Sequence, residues 1–445
     1  MTLLDRGLLR ARLQHEIGER AAQGRVVDGL AEALAGVPDS WDGLADFATR
    51  LDDLPLRDDW PYDEPDSLDA IAAAADPARA LGSIGLLAPA DAARRAEAAF
   101  LGSVCGCILG KPLEFDPTLA EIRAALEPAG EWPLRDYLPE AVVLSLREQQ
   151  GQWPELVRER IAHVAPDDDI NYTVLGMLVL EHHGSEFTHE DLLRLWLYNL
   201  PVLATFGPER TLLANAALAA LEPGRPMPWP IAAWTRVLNP GAELCGALIR
   251  ADAYGYACFG RPALAAALAG RDASMTHRGT GLYGAMFIAA AIAAAPVVAD
   301  PLAIFSTALQ HIPQHSRFAD AVRFALDTVA AASDWLDGYE RIHARFGEYG
   351  HCRVLQEVGT LVNTLRFAED VGDGICKQVM QGNDTDSFGA TAGSLLGAYF
   401  GPGHLDARWT DPFNDTIHLA LATCWEQSLS ALAARMGRLA AAPLG

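Results

Sequence analysis

Apolar residues recur at helical spacing along most of this 445-residue chain. Spacings of three and four residues predict amphipathic helices. Clear examples are residues 191–200, 211–221, 321–332 and 416–438. Glycine and proline separate these runs, and no alternating apolar pattern of strand length occurs. The pattern therefore predicts an all-α fold built from many helices of medium length.

The first 90 or so residues have a different composition. The stretch "LDDLPLRDDWPYDEPDSLDAI" is rich in aspartate, proline and aromatic residues. It predicts an irregular but ordered segment, with Trp60 and Tyr62 packed onto the body of the protein. We predict a boundary near Ala90. Residues 1–90 would be a helical and irregular extension packed on the core, and residues 91–445 would form the main all-α domain.

Charge excludes one class of function. The formal net charge is −24 at pH 7. So acidic a surface repels phosphate backbones, which argues against nucleic-acid binding through a general basic patch. It does not exclude a small phosphate-bearing ligand or a site rich in cations.

Cysteine usage and hydropathy bear on location. The seven cysteines are odd in number and include no CxxC, which predicts reduced thiols in a cytoplasmic protein. The N-terminus is charged and shows no apolar signal-peptide region. Residues 282–299 carry no charge but are dominated by alanine and contain Pro296. We interpret them as a buried core helix, and we expect no membrane partner.

One acidic cluster lies in "APDDDINYTVLG", where Asp167, Asp168 and Asp169 precede an apolar run. Aspartates stabilise a helix N-terminus by capping free N–H groups and by favouring the positive end of the helix dipole. That explains one or two of them. Three adjacent carboxylates repel one another, so the residues alone leave a helix cap and a metal site as equal alternatives.

A second acidic cluster lies in "QGNDTDSFGATAG", where Asp384 and Asp386 are followed by Ser387 and then by small residues. Small residues let helices approach closely. Mg²⁺ and Mn²⁺ prefer oxygen ligands, and acidic clusters from two distant segments can hold such ions. An EF-hand is excluded because Leu395 stands where that loop needs a carboxylate.

A third motif is "LGSVCGCILGKPLEF", in which Gly102, Gly106, Gly110 and Glu114 recur every four residues. On a helix they form one stripe. Each glycine costs roughly 1 kcal/mol of helix propensity, so the stripe needs a reason, and close contact with another helix is the simplest one. A further interpretation is that Glu114, just past the helix, is held over a neighbouring site.

Five segments in this order resemble the ADP-ribosylglycohydrolase family, which includes the dinitrogenase-reductase-activating glycohydrolases. Three are the glycine-striped helix that ends in glutamate, the acidic triplet and the Gly-x-Asp-x-Asp-Ser motif. The other two are "GAELCGALIRADAYG", similar to a substrate loop of the family, and "RDASMTHRGTGLYGAMFIAAAIAAA", similar to its Thr-His segment. The resemblance covers about residues 92–401.

The resemblance implies a compact orthogonal multi-helix bundle of the ADP-ribosylglycohydrolase type, with the catalytic domain in residues 91–445. It also implies a hydrolase of a glycosidic bond to ADP-ribose that uses two divalent cations, Mg²⁺ or Mn²⁺. The metal ligands of the family correspond to Asp167, Asp168, Asp169, Asp384, Asp386 and Ser387. Its catalytic positions correspond to Glu114, Asp168 and Asp386. Its substrate contacts correspond to Gly246, Ala247 and His277.

Some residues depart from the family pattern. Asp167 stands where threonine is usual, Ser387 replaces the commoner threonine, and Cys107 stands where many members have aspartate. The metal site is therefore expected to be intact, while substrate recognition has drifted. His277 has a second interpretation as a helix cap or a satisfied hydrogen-bonding residue, and His351 is a weaker candidate for facing the site.

The sequence leaves several functions open. The expected partner is an ADP-ribosylated protein or a small ribosyl compound, and the chain is a monomer or a dimer. One alternative is a small-molecule ribosyl or nucleoside-type N-glycosidase of the same fold. The other is a non-catalytic member that binds a ligand or has a structural role.

Overall fold

The computed structural model describes residues 6–146, 154–220 and 239–442, and these contain twenty α-helices and no β-strand. The first ten are α1 Arg6–Ala22, α2 Leu30–Ala35, α3 Trp41–Asp52, α4 Leu68–Ala74, α5 Pro89–Gly110, α6 Leu119–Ala129, α7 Glu140–Leu146, α8 Asp168–His183, α9 His189–Asn199 and α10 Gly207–Ala220. The others are α11 Asp252–Ala257, α12 Pro262–Ala273, α13 Gly279–Ala294, α14 Pro301–Leu309, α15 Arg317–Ala331, α16 Trp335–Phe346, α17 Val354–Phe367, α18 Val371–Met380, α19 Thr385–Phe400 and α20 Leu429–Ala441. The predicted all-α class is confirmed.

Three of the four apolar runs coincide with helices α9, α10 and α15, although residue 221 lies outside the described residues. The fourth prediction, a helix over residues 416–438, is wrong in its first half, because α20 begins only at Leu429. Asn171 and Asn199 explain the difference. Their side-chain oxygens accept main-chain N–H groups of this stretch at 3.0 and 3.1 Å, which offers its backbone an alternative to helical hydrogen bonds.

Helices α5 and α19 pack with their main chains in contact. A Cβ atom added to Gly106 would lie 1.9 Å from the carbonyl oxygen of Gly389, and one added to Gly110 would lie 2.0 Å from that of Thr385. Any side chain at these positions would force the helices apart. The glycine stripe therefore serves the close helix contact that the sequence predicts, and it brings the end of α5 beside the start of α19.

The N-terminal segment packs onto the body of the protein. The guanidinium of Arg317 lies 5.5 Å from the ring centre of Trp60, and the Tyr62 hydroxyl donates to Asp320 at 3.5 Å. Helices α1, α2 and α3 also bury a small apolar cluster of their own, formed by Leu9, Leu13, Ile17, Leu30, Leu34, Leu44, Phe47, Ala48 and Leu51. The domain boundary near Ala90 stays a prediction.

Helix α13 is buried along its whole length, as expected for a core helix. Among the described residues, one segment, Pro89–Leu113, is long and apolar enough to cross a membrane by length and composition. Within its most apolar window, 89% of the residues are buried inside the protein, and core helices pass the same test.

We predict that Gly106→Ala lowers the free energy of unfolding by about 3 kcal/mol, because the new methyl group meets the Gly389 carbonyl. Denaturant unfolding would measure the change. The matched control is Gly18→Ala in α1, where no atom lies within 4 Å of the added methyl group and a change of about 0.5–1 kcal/mol towards stability is expected. Equal stabilities of the two variants would contradict the main-chain contact.

Candidate active site

Three distant segments meet at one end of the α5–α19 pair. They are the short 3₁₀ turn Lys111–Leu113 with Glu114 after it, the N-terminus of α8 and the N-terminus of α19. The structure brings together every acidic residue that the sequence analysis named as a metal ligand or as a catalytic position. These residues, with the accompanying hydroxyl, are Glu114, Asp167, Asp168, Asp169, Asp384, Asp386 and Ser387. We call this set the acidic cluster.

The aspartate triplet contains both a helix cap and side chains that face the candidate metal site, which are the two alternatives that the sequence left open. Asp167 is the N-cap of α8, and its Oδ1 accepts the N–H of Asp169 at 3.0 Å. Asp169 is buried, and its Oδ2 accepts the Ser387 hydroxyl at 3.3 Å. Asp168, in the first turn of the helix, is half-buried. One aspartate therefore caps the helix, while its neighbours face the other acidic segment.

A lysine lies at the centre of the acidic cluster. Lys111 Nζ is 2.7 Å from Glu114 Oε2, 2.7 Å from Asp167 Oδ2 and 2.8 Å from Asp386 Oδ2. Burial alone would lower its pKa, but attraction by Asp167, Asp386 and Glu114 outweighs burial and raises the pKa well above the ordinary value. The sequence analysis did not single out Lys111. A usable signal was present, because the chain contains only two lysines.

The acidic cluster carries more negative charge than Lys111 neutralises. Burial and repulsion by Asp167 raise the pKa of Asp168 and of Asp169 well above the ordinary value. Burial and repulsion by Asp386 raise the pKa of Asp384 to about 7. Burial also raises the pKa of Asp386, despite its contact with Lys111. Added cations or protons are therefore needed to balance these carboxylates.

The donor set fits a divalent cation. Asp169 Oδ1 and Asp386 Oδ1 are buried, and neither has a hydrogen-bond partner among the described residues. A buried carboxylate oxygen without a partner is costly unless an ion or a water satisfies it. Carboxylate oxygens are the ligands that Mg²⁺ and Mn²⁺ prefer. The residues present therefore could hold a hard divalent ion.

Asp384 also lies beside two cysteine thiols, a grouping that the sequence did not reveal. Cys245 donates to Asp384 Oδ2 at 3.2 Å, and one ligand atom each from Cys245, Cys352 and Asp384 lie within 4.8 Å of one another. Glu357 accepts the Asp384 N–H at 3.3 Å, and burial and repulsion by Asp384 raise the pKa of Glu357 well above the ordinary value. Cysteine spacing carried no signal for this group, because the two thiols are 107 positions apart, 352 minus 245.

Two further residues that the sequence analysis named also lie near the acidic cluster. Cys107, which departs from the family pattern, has its sulfur within 4.8 Å of carboxylate oxygens of Asp167 and Asp169. Burial and those carboxylates raise the pKa of the Cys107 thiol well above its ordinary value, so the thiol stays neutral. His351 lies 3.6 Å from Asp116, and contacts with Cys352 and Asp384 outweigh burial and raise its pKa to about 10.

The predicted substrate residues form a different group, centred on Arg250. Its guanidinium forms ion pairs with Glu209 and Asp272 and donates to the Gly246 carbonyl at 3.0 Å. A Cβ at Gly246 would lie 2.8 Å from Glu209 Oε1, so glycine is required for this close approach. Ala247 is buried beside it. In this structure, Gly246 therefore supports the ion-pair network around Arg250.

His277 is buried in the same group. Its Nδ1 lies 2.8 Å from the Thr276 hydroxyl, and its Nε2 has no partner among the described residues. Burial and repulsion by Arg250 lower its pKa well below the ordinary value, so the ring is neutral. Tyr172 is affected by both groups. Burial, the charge of Glu209 beside Arg250 and the charge of Asp168 in the acidic cluster all raise the pKa of Tyr172. The roles of Gly246, Ala247 and His277 towards a substrate stay predictions.

Comparisons with known proteins identify the family. The family model described as ADP-ribosylglycohydrolase matches residues 88–442. Among solved structures, a chain described as "ADP-ribosylglycohydrolase-related protein complex" is similar to this one at 22% sequence identity and a TM-score of 0.49. The similarity covers 79% of this chain and 99% of that chain. The comparison with curated proteins found no match.

We predict that Asp169→Asn raises the melting temperature of the metal-free protein at pH 8 by on the order of 2 °C, because it removes a carboxyl group whose ionisation is disfavoured in the fold by burial and by neighbouring carboxylates. The same variant should lose the rise in melting temperature that Mn²⁺ gives the wild type. Scanning calorimetry in EDTA and in Mn²⁺ would measure both effects.

The matched control is Asp272→Asn, which also neutralises a buried aspartate but breaks its ion pair with Arg250. That variant should be less stable by about 3–5 kcal/mol. A lower melting temperature for metal-free Asp169→Asn would contradict the repulsion between the carboxylates.

Proposed function

The chain belongs to the ADP-ribosylglycohydrolase family, a family of glycoside hydrolases, and we propose that it removes ADP-ribosyl groups from protein side chains with the help of divalent cations. The observation that carries this proposal is that Asp169 and Asp386, at two helix N-termini, each have a buried carboxylate oxygen without a described partner, and that the charge of Asp386 helps to raise the pKa of Asp169. The half-exposed Glu114 stands beside them and is the most accessible of the buried lysine's three carboxylate partners.

The acidic residues would hold Mg²⁺ or Mn²⁺ through carboxylate oxygens. Asp169 and Asp386 supply the partnerless oxygens, while Asp168 and Asp384 lie close enough to raise the pKa of Asp169. When bound, such an ion supplies an anchor for ribose hydroxyls and lowers the pKa of a bound water. A second ion is implied by the family resemblance alone.

The protein's own residues would do the remaining work. Cleavage of a ribosyl bond develops positive charge at the anomeric carbon, and nearby carboxylates stabilise such charge. Asp168 is half-buried and faces the same cluster, so it is placed for this role. Glu114 would orient the attacking water or accept its proton, because a general base must be accessible and close to the reacting atoms.

We predict that Glu114→Gln lowers kcat at least 100-fold and leaves the affinity for Mn²⁺ within threefold, because the glutamate acts on water and not as a main ligand. Steady-state kinetics and isothermal titration calorimetry would give the two values. Glu181→Gln is the control, since Glu181 pairs with Arg435 at the surface. Equal losses of turnover and of metal affinity would count against this role.

We predict that Asp386→Asn abolishes release of ADP-ribose, because it removes a carboxylate with a buried, partnerless oxygen. The variant should be less stable but still fold, because Glu114 and Asp167 remain as partners of Lys111. The assay uses mono-ADP-ribosylated arginine and serine peptides. The protein is first stripped with EDTA, and Mg²⁺ or Mn²⁺ is then returned. Circular dichroism would check the fold, and normal turnover by the folded variant would contradict the proposal.

The same assay separates the remaining alternatives. Release from small ribosyl compounds but not from peptides would indicate a ribosyl or nucleoside-type N-glycosidase. A melting temperature that rises with ADP-ribose, without release from any substrate, would indicate a ligand-binding protein. No response to metal or to ADP-ribose would favour a structural role.

A further inference from the structure

We propose that the ammonium group of Lys111 is a built-in cation of this site, and that it takes the position of one of the two divalent ions that the resemblance implies. The acidic cluster would then bind a single divalent ion, next to Lys111. This inference relies on the proposed function only for what the site does. It concerns the ion count, which is measured independently of activity.

The contacts of Lys111 resemble the surroundings of a bound cation. Its Nζ lies within 2.8 Å of carboxylate oxygens from three elements: the turn after α5, the N-cap of α8 and the first turn of α19. An ammonium has three N–H donors, so it can donate to each of these carboxylates. The side chain is only 6% exposed. Lys111 therefore bridges the segments that a divalent ion would otherwise have to bridge.

The carboxylate oxygens of the acidic cluster form two sets. We call those engaged by Lys111 or by a hydrogen bond the closed half, and those without a described partner the open half. Asp167 accepts the Asp169 N–H with Oδ1, while its Oδ2 has no hydrogen-bond partner among the described residues and is balanced by an ion pair with Lys111 Nζ at 2.7 Å. Asp386 uses Oδ2 on Lys111, while its Oδ1 has no partner among the described residues. Asp169 accepts from Ser387 with Oδ2, and its Oδ1 is likewise without a described partner. The open half therefore offers Asp169 Oδ1 and Asp386 Oδ1 to an ion. A second ion on the Asp167 side would have to displace Lys111.

The backbone of Lys111 cannot withdraw to make room. The preceding residue, Gly110, lies in main-chain contact with α19, and its carbonyl accepts the Thr385 hydroxyl at 2.8 Å. The following residue is Pro112, inside the 3₁₀ turn. Only the lysine side chain could move, and it would have to break three short ion pairs in a buried site. Removing one charge from such a group is strongly unfavourable.

The choice of lysine also fits an ion position. Of the 34 basic residues, only Lys111 and Lys377 are lysines. An ammonium is a compact point charge, whereas a guanidinium is a broad planar fork. A chain that otherwise uses arginine thus places one of its two lysines where a compact cation is required. Because one ammonium carries less charge than a divalent ion, the cluster keeps enough negative charge to bind the remaining ion.

The test counts Mn²⁺ in the full-length protein by isothermal titration calorimetry and by electron paramagnetic resonance. Wild type should bind one Mn²⁺ per chain and show the six-line spectrum of an isolated ion. Lys111→Met retains a chain of similar length without the charge, and Lys111→Ala opens the position. These variants should bind two ions and show the broadened spectrum of a coupled pair.

The matched control is Lys377→Met, which removes the other lysine, whose partner is Asp373 in α18. Its Mn²⁺ count should stay at one. Two coupled ions or no ion in the wild type would overturn the proposal, and so would a folded Lys111→Met protein that gains no second ion. The wild-type count decides the matter even if the Lys111 variants fail to fold.

Release of ADP-ribose is measured on the same preparations. One bound ion without release from any substrate would leave this inference intact and remove the proposed function. Two bound ions together with release of ADP-ribose would support the proposed function and overturn this inference.

Discussion

The main-chain contact between α5 and α19 is the constraint on which the site depends. Gly106 and Gly389 meet with no side chain between them, and so do Gly110 and Thr385. The contact places the end of one helix against the start of the other. The acidic start of α19 and the turn that carries Lys111 and Glu114 are thereby held together before any ligand arrives. Pre-organised groups of this kind are what catalytic sites require.

The same contact has an electrostatic cost. Carboxylates from α19 and from the neighbouring α8 are buried together at this point, and burial and mutual repulsion raise the pKa of Asp168, Asp169 and Asp384. Three features offset part of that cost: the cap that Asp167 provides, the Ser387 hydrogen bond and the ammonium of Lys111. A divalent ion would offset the rest. Loss of stability at a site that binds a ligand is a common consequence of function.

The sequence predicted the all-α class, the close packing of the glycine stripe and the meeting of the two aspartate motifs. The first two are local patterns, helical spacing and a repeat every four residues, whereas the meeting of the aspartate motifs was implied by the family resemblance. The sequence did not reveal the central position of Lys111 or the grouping of Cys245 and Cys352 with Asp384, because those contacts join segments far apart in the chain. The helix predicted over residues 416–438 was wrong over residues 416–428 for a related reason. Asn171 and Asn199, on two other helices, satisfy the backbone of that stretch.

The most direct test of the central claim, that packed helix ends create a cation site from Asp169 and Asp386, is anomalous diffraction from crystals soaked in Mn²⁺. The account predicts an anomalous peak within bonding distance of Asp169 Oδ1 and Asp386 Oδ1, the two buried oxygens without a described partner. It also predicts that the peak disappears in crystals of Asp386→Asn. A peak that contacts neither oxygen, or no peak at saturating Mn²⁺, would contradict the account.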